Sequence, residues 1–282
     1  MRRIRTIPVV AGAVTLAAAT TVLLPASAHA AVACTETALI AAVNSANAAG
    51  GGDVVLASGC TYTLTAPHSS DGDGPNGLPV ITTAITLTGD NNIITRSTTL
   101  LAPLFRIAKV AGGGNLTLKG NVTLSNGRTT TDGGGILNYG AVTLTAGALT
   151  GNTALGKGGG LANRDIAAPT TGATATLTGS TVSGNTAGGR GGGIYNGLRG
   201  TLTTTSSFVN GANNGSQGGG IAAVDSTATT LTSTPVSANK ALLNAGGIYR
   251  QNGTMTITTS PTGGNTPTNC TGSSPAVPGC VG

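Results

Sequence analysis

The chain has few charged side chains and very few aromatic ones. Of its 282 residues, 8 % are charged and 2 % are aromatic, tryptophan is absent, and histidine occurs twice. Such a composition cannot build the thick core of large side chains that most globular domains contain. It also leaves little material for chemistry that depends on histidine, and we expect no cofactor and no metal site.

Basic residues are also sparse, except at the N-terminus. Arg2, Arg3 and Arg5 precede an apolar stretch over residues 7–24, and Ala28-His29-Ala30 follows. This order predicts a signal peptide over residues 1–30, with cleavage after Ala30 and a secreted, extracellular or cell-wall-associated protein. A transmembrane anchor is the alternative interpretation of the same stretch. No later segment is long enough to span a bilayer, so we expect no membrane span after cleavage.

Removal of the three arginines lowers the formal net charge from +6 to +3. The remaining basic residues are scattered singly, and almost no aromatic ring is available to stack on a base. We therefore expect no nucleic-acid partner.

The four cysteines lie near the two ends of the exported chain. Cys34 and Cys60 stand at the start, Cys270 and Cys280 at the end, and none falls between them. Secretion favours disulfides, and four cysteines allow three pairings. Sequential pairing is favoured if the two ends lie far apart, so we predict one disulfide at each end. The alternative, zinc binding, lacks nearby histidines.

An internal repeat dominates the rest of the sequence. An aliphatic residue in a Thr-Leu or Thr-Ile pair is followed eight residues later by asparagine six times: Leu118 and Asn126, Leu144 and Asn152, Leu177 and Asn185, Leu202 and Asn210, Leu231 and Asn239, Ile257 and Asn265. Glycine clusters separate the pairs and lead into Ile136, Leu161, Ile194, Ile221 and Ile248. A repeat of this length indicates a solenoid, because one unit cannot bury its apolar side alone.

The segments within each repeat are short and alternating, as in Thr254-Met-Thr-Ile-Thr258, which favours strands over helices. We therefore predict an all-β protein, a right-handed parallel β-helix of about eight coils. In each Thr-Leu-Thr segment the leucine points inward and the threonines outward. The asparagine is expected in a turn with left-handed backbone geometry, stacked into a ladder, and the glycines at a tight corner. The alternative, disorder, fits poorly with a hydrophobic fraction of 39 % and low charge.

The non-repetitive segments predict how the rod is closed. Thr35 can cap a short helix through Asn47, within an N-terminal cap over residues 31–62. The β-helix is predicted over 63–265 and a disulfide-stapled tail over 266–282. Two irregular loops are expected, at 66–79 and at 164–173.

The repeats resemble a known family at this point. Leu149-Thr-Gly-Asn152, Val182-Ser-Gly-Asn185 and Val236-Ser-Ala-Asn239, combined with the Gly-Gly-x-Ile clusters, look like the repeats of chlamydial polymorphic outer-membrane proteins. They are also similar to secreted bacterial β-helix proteins of the pectin-lyase-like type. The resemblance covers about residues 116–265. It implies the fold and a secreted location, and it implies no established reaction.

Three functions compete on this basis. The first is a non-catalytic, adhesin-like protein that contacts an extracellular glycan or cell-wall component; its oligomeric state is not defined by the sequence. The second is a polysaccharide lyase or glycoside hydrolase, which requires paired carboxylates or acidic calcium ligands. Its weak catalytic candidates are Asp132, Arg164, Asp165 and Arg190, near the glycine corner. The alternative interpretation is that these four are solvated turn residues without a catalytic role. Asp71 and Asp73 resemble part of a calcium loop, but Pro75 takes the place of the third ligand.

The third function is ice binding, through outward threonines that recur on successive coils. The candidate face contains Thr143, Thr145, Thr176, Thr178, Thr201, Thr203, Thr230 and Thr232, flanked by similar pairs at Thr63 and Thr65, Thr86 and Thr88, and Thr256 and Thr258. Such ranks resemble the flat faces of β-solenoid antifreeze proteins. Lys119 interrupts them, and threonine is also common in strands for purely structural reasons.

Overall fold

A computed structural model describes residues 30–165 and 172–282. The predicted signal peptide lies almost entirely outside the described residues, as does most of the predicted loop at 164–173, and both remain predictions. The first element is the helix α1 (Glu36–Ala48), capped by Thr35, whose hydroxyl accepts a hydrogen bond from the backbone N–H of Ala38 at 3.2 Å. This confirms the predicted capping helix. No helix among the described residues is long and apolar enough to cross a bilayer.

The rest of the described chain is a parallel β-solenoid, which confirms the predicted fold class. Each coil runs through four sheets in turn. The first sheet contains, in spatial order, β1 (Gly51–Val55), β5 (Ala84–Thr88), β8 (Asn115–Lys119), β12 (Ala141–Thr145), β16 (Thr174–Thr178), β20 (Thr201–Thr205), β24 (Ala228–Thr232) and β28 (Thr254–Thr258). The second contains β2 (Thr61–Leu64), β6 (Asn92–Arg96), β9 (Val122–Ser125), β13 (Ala148–Thr150), β17 (Thr181–Ser183), β21 (Phe208–Asn210), β25 (Val236–Ser237) and β29 (Thr262–Gly263).

The third and fourth sheets are shorter. The third contains β10 (Arg128–Thr129), β14 (Thr153–Ala154), β18 (Thr186–Ala187), β22 (Asn214–Gln217) and β26 (Lys240–Asn244). The fourth contains β7 (Ala108–Val110), β11 (Ile136–Asn138), β15 (Leu161–Asn163), β19 (Ile194–Asn196), β23 (Ile221–Val224) and β27 (Ile248–Gln251). The solenoid therefore has about six complete turns, fewer than the eight predicted. The first and last coils lack strands in the third or fourth sheet and are incomplete.

An antiparallel hairpin replaces the missing sides of the first pass. It consists of β3 (Ser69–Asp71) and β4 (Gly74–Asn76). The sequence predicted only an irregular loop over 66–79, because prolines and glycines obscure such short strands. The hairpin lies against the outside of the solenoid, where it contributes to the charged cluster described below.

The narrow interior is filled by stacked aliphatic side chains. The predicted inward residues Leu118, Leu144, Leu177 and Leu231 are fully buried, and so are the residues that follow the glycine clusters, Ile136, Leu161, Ile194, Ile221 and Ile248. Stacking of one such residue per coil gives a continuous core without large aromatic rings.

The register of one coil differs from the predicted one by two residues. Leu202 pairs with Ala175, and Thr204 stands opposite Leu177. Both Leu202 and Thr204 are buried, so the inward direction of Leu202 is confirmed while its place in the column is wrong. The sequence could not show this, because Thr201-Leu-Thr-Thr-Thr205 offers two alignments with the same alternation.

The asparagine ladder follows the corrected register. Asn152, Asn185, Asn213, Asn239 and Asn265 stack between the second and third sheets, and each is at most 8 % exposed. In the coil that contains β20 and β21, the ladder position is occupied by Asn213, not by the predicted Asn210. The exposed Asn126 lies outside the buried stack. Left-handed backbone geometry falls on the residue before each ladder asparagine, for example Gly184 with φ 64° and Ala238 with φ 55°. The predicted left-handed geometry is therefore confirmed for Asn126, with φ 58°, and wrong for the other five predicted asparagines.

Disulfides join the cysteines sequentially at the two ends. Cys34 pairs with Cys60 at a Cα–Cα distance of 5.5 Å, and Cys270 with Cys280 at 6.3 Å. The first holds the segment before α1 against the first coil, and the second closes the tail. This is the pairing favoured from the sequence.

Candidate functional site

The densest group of polar side chains lies on the outer face of the fourth sheet, beneath the β3–β4 hairpin. We call it the Tyr139 cluster: Asp71, Asp73, Arg106, Lys109, Asp132, Tyr139 and Arg164. The Tyr139 hydroxyl donates to Asp73 Oδ1 at 2.8 Å and accepts from Arg164 Nη2 at 3.2 Å. Its ring is flanked by two cations, Lys109 Nζ at 5.4 Å and Arg164 Cζ at 5.3 Å from the centroid.

The carboxylates of this cluster are all engaged in ion pairs. Lys109 Nζ contacts Asp71 Oδ2 at 2.5 Å and Asp73 Oδ2 at 2.7 Å. Arg164 Nε contacts Asp132 Oδ2 at 3.0 Å, and Asp132 Oδ1 also accepts from the backbone N–H of Lys157. Asp71 and Asp73 thus share an ammonium group. Within the described residues, no group of three His, Cys, Asp or Glu side chains is arranged to hold a metal ion.

Arg106 fixes the hairpin to the solenoid from below. It is fully buried, and its guanidinium donates to Asn76 Oδ1 at 2.6 Å, to Thr131 Oγ1 at 2.5 Å and to backbone carbonyl oxygens that include Asp73 O. Burial lowers the pKa of Arg106, while the charge of Asp73 opposes that shift. A buried cation with this many acceptors is a rigid anchor.

The pKa shifts indicate what the cluster can do chemically. Burial raises the pKa of Tyr139, the charge of Arg164 lowers it, and the hydrogen bond to Asp73 raises it further, so that the hydroxyl stays protonated as a donor. Burial also raises the pKa of Asp73, but the hydrogen bonds from Lys109 and Tyr139 and the charge of Lys109 outweigh burial and lower it overall. An ionised carboxylate bound to an ammonium and a phenol is stabilised as a structural anion, not poised as a general base.

We expect acid to release the hairpin. Because the folded-state pKa of Asp73 is lowered, its stabilisation is fully present above the unfolded value of about 4 and is lost as the pH falls through the folded value. Hydrogen–deuterium exchange of the 69–76 segment, corrected for intrinsic rates, should show protection at pH 6 that decreases as the pH is lowered below about 4.

Two variants isolate this effect. Asp73→Asn should weaken protection already at pH 6, whereas Asp90→Asn, at an exposed carboxylate remote in sequence, should leave it unchanged. Protection of the hairpin that is the same in Asp73→Asn and in the unmodified protein would show that the ion pair contributes nothing to its attachment.

The predicted catalytic candidates do not form one site. Asp132 and Arg164 are brought together in the Tyr139 cluster. Asp165 is 1 % exposed at its side chain and pairs instead with Arg199, at 3.0 Å. Arg190 donates to Gln217 Oε1 at 2.8 Å and Gln251 Oε1 at 3.0 Å, and stacks on Tyr249. The four residues are therefore divided among three separate interactions.

The most regular surface of the molecule is the outer face of the first sheet. Two columns of outward residues run across seven strands, and thirteen of their fourteen positions are threonine. We call these residues the threonine face: Thr86, Thr117, Thr143, Thr176, Thr203, Thr230 and Thr256 in one column, and Thr88, Thr145, Thr178, Thr205, Thr232 and Thr258 in the other.

The structure changes the composition of the predicted face in two places. Thr203 and Thr205 occupy the two columns in their coil, while Thr201 stands beside them opposite Thr174. Thr63 belongs to β2 of the second sheet, and β1 places Asp53 and Val55 beside Thr86 and Thr88, so the threonine columns begin on β5. Lys119 is the single interruption, between Thr88 and Thr145. The other predicted pairs lie in register.

The dimensions of the face follow from sheet geometry. Neighbouring coils are about 4.8 Å apart, and alternate residues along a strand are about 6.6 Å apart. Threonine has few χ1 rotamers, so the array presents hydroxyl and methyl groups at fixed intervals. Such a surface matches ligands that themselves repeat at regular intervals.

Sequence reasoning missed the Tyr139 cluster and a second ladder. Asn138 Nδ2 donates to Asn163 Oδ1 at 2.7 Å, and Asn163 Nδ2 to Asn196 Oδ1 at 2.8 Å. The sequence contains a pattern that indicates this second ladder, because each of these asparagines stands two residues after the aliphatic residue that follows a glycine cluster. No sequence pattern indicates the Tyr139 cluster, because its members are far apart in the chain: Asp73 and Tyr139 are separated by 66 residues.

The fold and these surfaces define a β-solenoid repeat protein. No protein-family model, curated protein or solved structure matches the chain.

Proposed function

We propose that the chain is a secreted, non-catalytic binding protein that contacts an extracellular glycan or cell-wall component through the threonine face. The observation that carries this proposal is the in-register array of thirteen threonines on one rigid sheet. The resemblance of the repeats to secreted pectin-lyase-like β-helix proteins and the two disulfides support an extracellular location.

A repeating polysaccharide suits this surface for physical reasons. Each threonine hydroxyl can donate and accept, as sugar hydroxyls do, and each methyl can pack against an apolar sugar edge. The side chains are already ordered by the sheet, so little conformational entropy is lost when a ligand binds. Many weak contacts in a row then add up to useful affinity.

An enzymatic function has less support. A lyase or hydrolase would use the Tyr139 cluster, where Asp132 and Arg164 meet. Both Asp132 oxygens accept hydrogen bonds from the protein, and Tyr139 is a donor held between two cations. These groups hold the hairpin and the corner together, and we assign them that role.

Ice is a second candidate ligand. It is favoured because thirteen of the fourteen positions in the array are uncharged threonines and only Lys119 carries a charge. Regular, uncharged hydroxyls and methyls can order water as well as sugar. If the protein leaves ice recrystallisation unchanged at concentrations that saturate polysaccharide binding, ice is excluded.

Binding to insoluble chitin, cellulose and isolated cell walls tests the main proposal. Thr176→Lys combined with Thr203→Lys places two long cations in the middle of the face, and we expect at least a roughly tenfold loss of binding, or about 1.4 kcal/mol. Thr150→Lys combined with Ser183→Lys is the matched control, because it adds the same two side chains to adjacent coils of the second sheet.

Each outcome of this experiment is informative. Loss of binding in the double variant alone supports the threonine face. Equal binding by all three proteins contradicts it, and release of reducing sugar or unsaturated product by the unmodified protein would establish an enzyme instead.

A further inference from the structure

The last strand of the first sheet has an open edge. The tail covers the edges of the third and fourth sheets, where Thr266 bridges to Lys240 and Ser274 to Gln251. Within the described residues, β28 pairs with β24 and with no other strand. An open edge of this kind is a template for another strand.

The direction of the backbone identifies the groups on this edge. Thr254 N–H donates to Thr227 O, and Thr258 O accepts from Ser233 N–H. The backbone N–H and C=O groups of Thr254 and Thr258 therefore point toward β24. Backbone groups of successive residues in a strand point to opposite sides. Met255 and Ile257 therefore direct their N–H and C=O groups outward, away from β24.

The sequence of β28 is self-complementary. It reads Thr-Met-Thr-Ile-Thr, with threonines exposed on one face and Met255 and Ile257 turned toward the core. Reversal of the strand gives the same alternation, so an antiparallel copy presents threonine opposite threonine. The strand also has no charge and no proline, the two features that usually protect an edge.

We infer that two copies of this chain associate tail to tail, through antiparallel pairing of their β28 strands. In this arrangement Met255 and the partner's Ile257 exchange two backbone hydrogen bonds. Ile257 and the partner's Met255 exchange two more. Thr256 faces the partner's Thr256 across a two-fold axis that is perpendicular to the sheet. The pairing joins two eight-stranded sheets and doubles the threonine face.

The N-terminal edge explains why the pairing is tail to tail. Val32 bridges to Leu56 beside β1, and its N–H donates to Val55 O at 2.7 Å. Asp53 adds a charge to the same edge, and α1 packs against β1. Head-to-tail stacking is blocked there, so association closes as a dimer and does not continue into a fibre.

The dimer should be weak in solution. Two five-residue strands bury less area than a standard stable interface. On a repeating ligand, however, the doubled face would bind bivalently and gain avidity.

Cross-linking through Thr256→Cys tests the geometry. All four native cysteines are in disulfides, so the new thiol is the only free one. Directly opposite residues in an antiparallel pair have Cβ atoms about 4.5–5.5 Å apart, close to disulfide geometry. Under mild oxidation, non-reducing electrophoresis should show dimer formation at least about tenfold faster than for Thr203→Cys, the equivalent position in an interior coil.

Two further variants keep the test decisive. Thr258→Cys lies on the same strand but faces the partner's Thr254, so it should cross-link slowly. Ile257→Pro removes an outward N–H that has no partner within the sheet, and should abolish concentration-dependent dimerisation in sedimentation while the circular dichroism spectrum stays the same. Equal cross-linking at positions 203, 256 and 258, or a monomer at all concentrations for the unmodified protein, would overturn the inference.

Discussion

Replacement of Asn185 by alanine should lower the free energy of unfolding by about 4 kcal/mol, a large fraction of the stability of a typical domain. Asn185 Oδ1 accepts from the backbone N–H of Asn152 at 2.9 Å, and its Nδ2 donates to Leu149 O at 2.9 Å and to Asn213 Oδ1 at 3.0 Å. Alanine leaves the Asn152 N–H and the Leu149 carbonyl buried without these partners. Each orphaned group costs about 1–3 kcal/mol.

Asn210→Ala is the matched control for this prediction. Asn210 lies at the position that the sequence repeat indicates for the ladder, but only its backbone carbonyl contacts the ladder, through Asn213 Nδ2. Its side chain is half-exposed, so we expect a change of less than about 0.5 kcal/mol. Urea denaturation of both variants measures the difference, and similar losses would assign the ladder to the wrong residue.

Gly159→Ala should destabilise the solenoid by about 3 kcal/mol or more, because the added methyl group has no space. A Cβ at Gly159 would lie 2.4 Å from Gly192 O and 2.5 Å from Thr186 O. Both are backbone atoms of the next coil, and neither can move without breaking the coil-to-coil hydrogen bonds. The cost is steric, since the φ of Gly159 lies outside the left-handed region.

Gly72→Ala provides the control. A Cβ at Gly72 meets no atom within 4 Å, and its φ also lies outside the left-handed region. We expect a change of less than about 0.5 kcal/mol. Thermal unfolding that shows the two alanine variants to be equally stable would mean that adjacent coils do not approach closely at the glycine corner.

The sequence predicted the repeating parts of this fold well because they depend on local patterns. Alternation places Leu144 and Leu177 inward whatever the rest of the chain does. The glycine triplets mark corners because only glycine permits the close approach seen at Gly159. The cysteines near the ends indicated sequential pairing, and Cys34 and Cys60 are indeed joined.

The sequence failed where several registers had the same pattern. Leu202 is the better hydrophobic anchor, yet Thr204 occupies the anchor column, with its buried hydroxyl unpaired among the described residues. The wrong anchor then led to Asn210 in place of Asn213. In the observed register all five residues of β20 pair with both neighbouring strands, β16 and β24, and a single segment of sequence does not show this pairing.

The sequence by itself determined that this protein is a β-solenoid with a threonine-rich side, because repeats with a period of one coil can bury their apolar residues only by stacking. The tertiary structure alone decided which threonines stand in two straight columns, and that Asp73, Lys109 and Tyr139 meet. Register and long-range contacts are set by the summed energy of many coil-to-coil bonds. A local segment of sequence does not reveal this total, because the bonds join residues that are far apart in the chain.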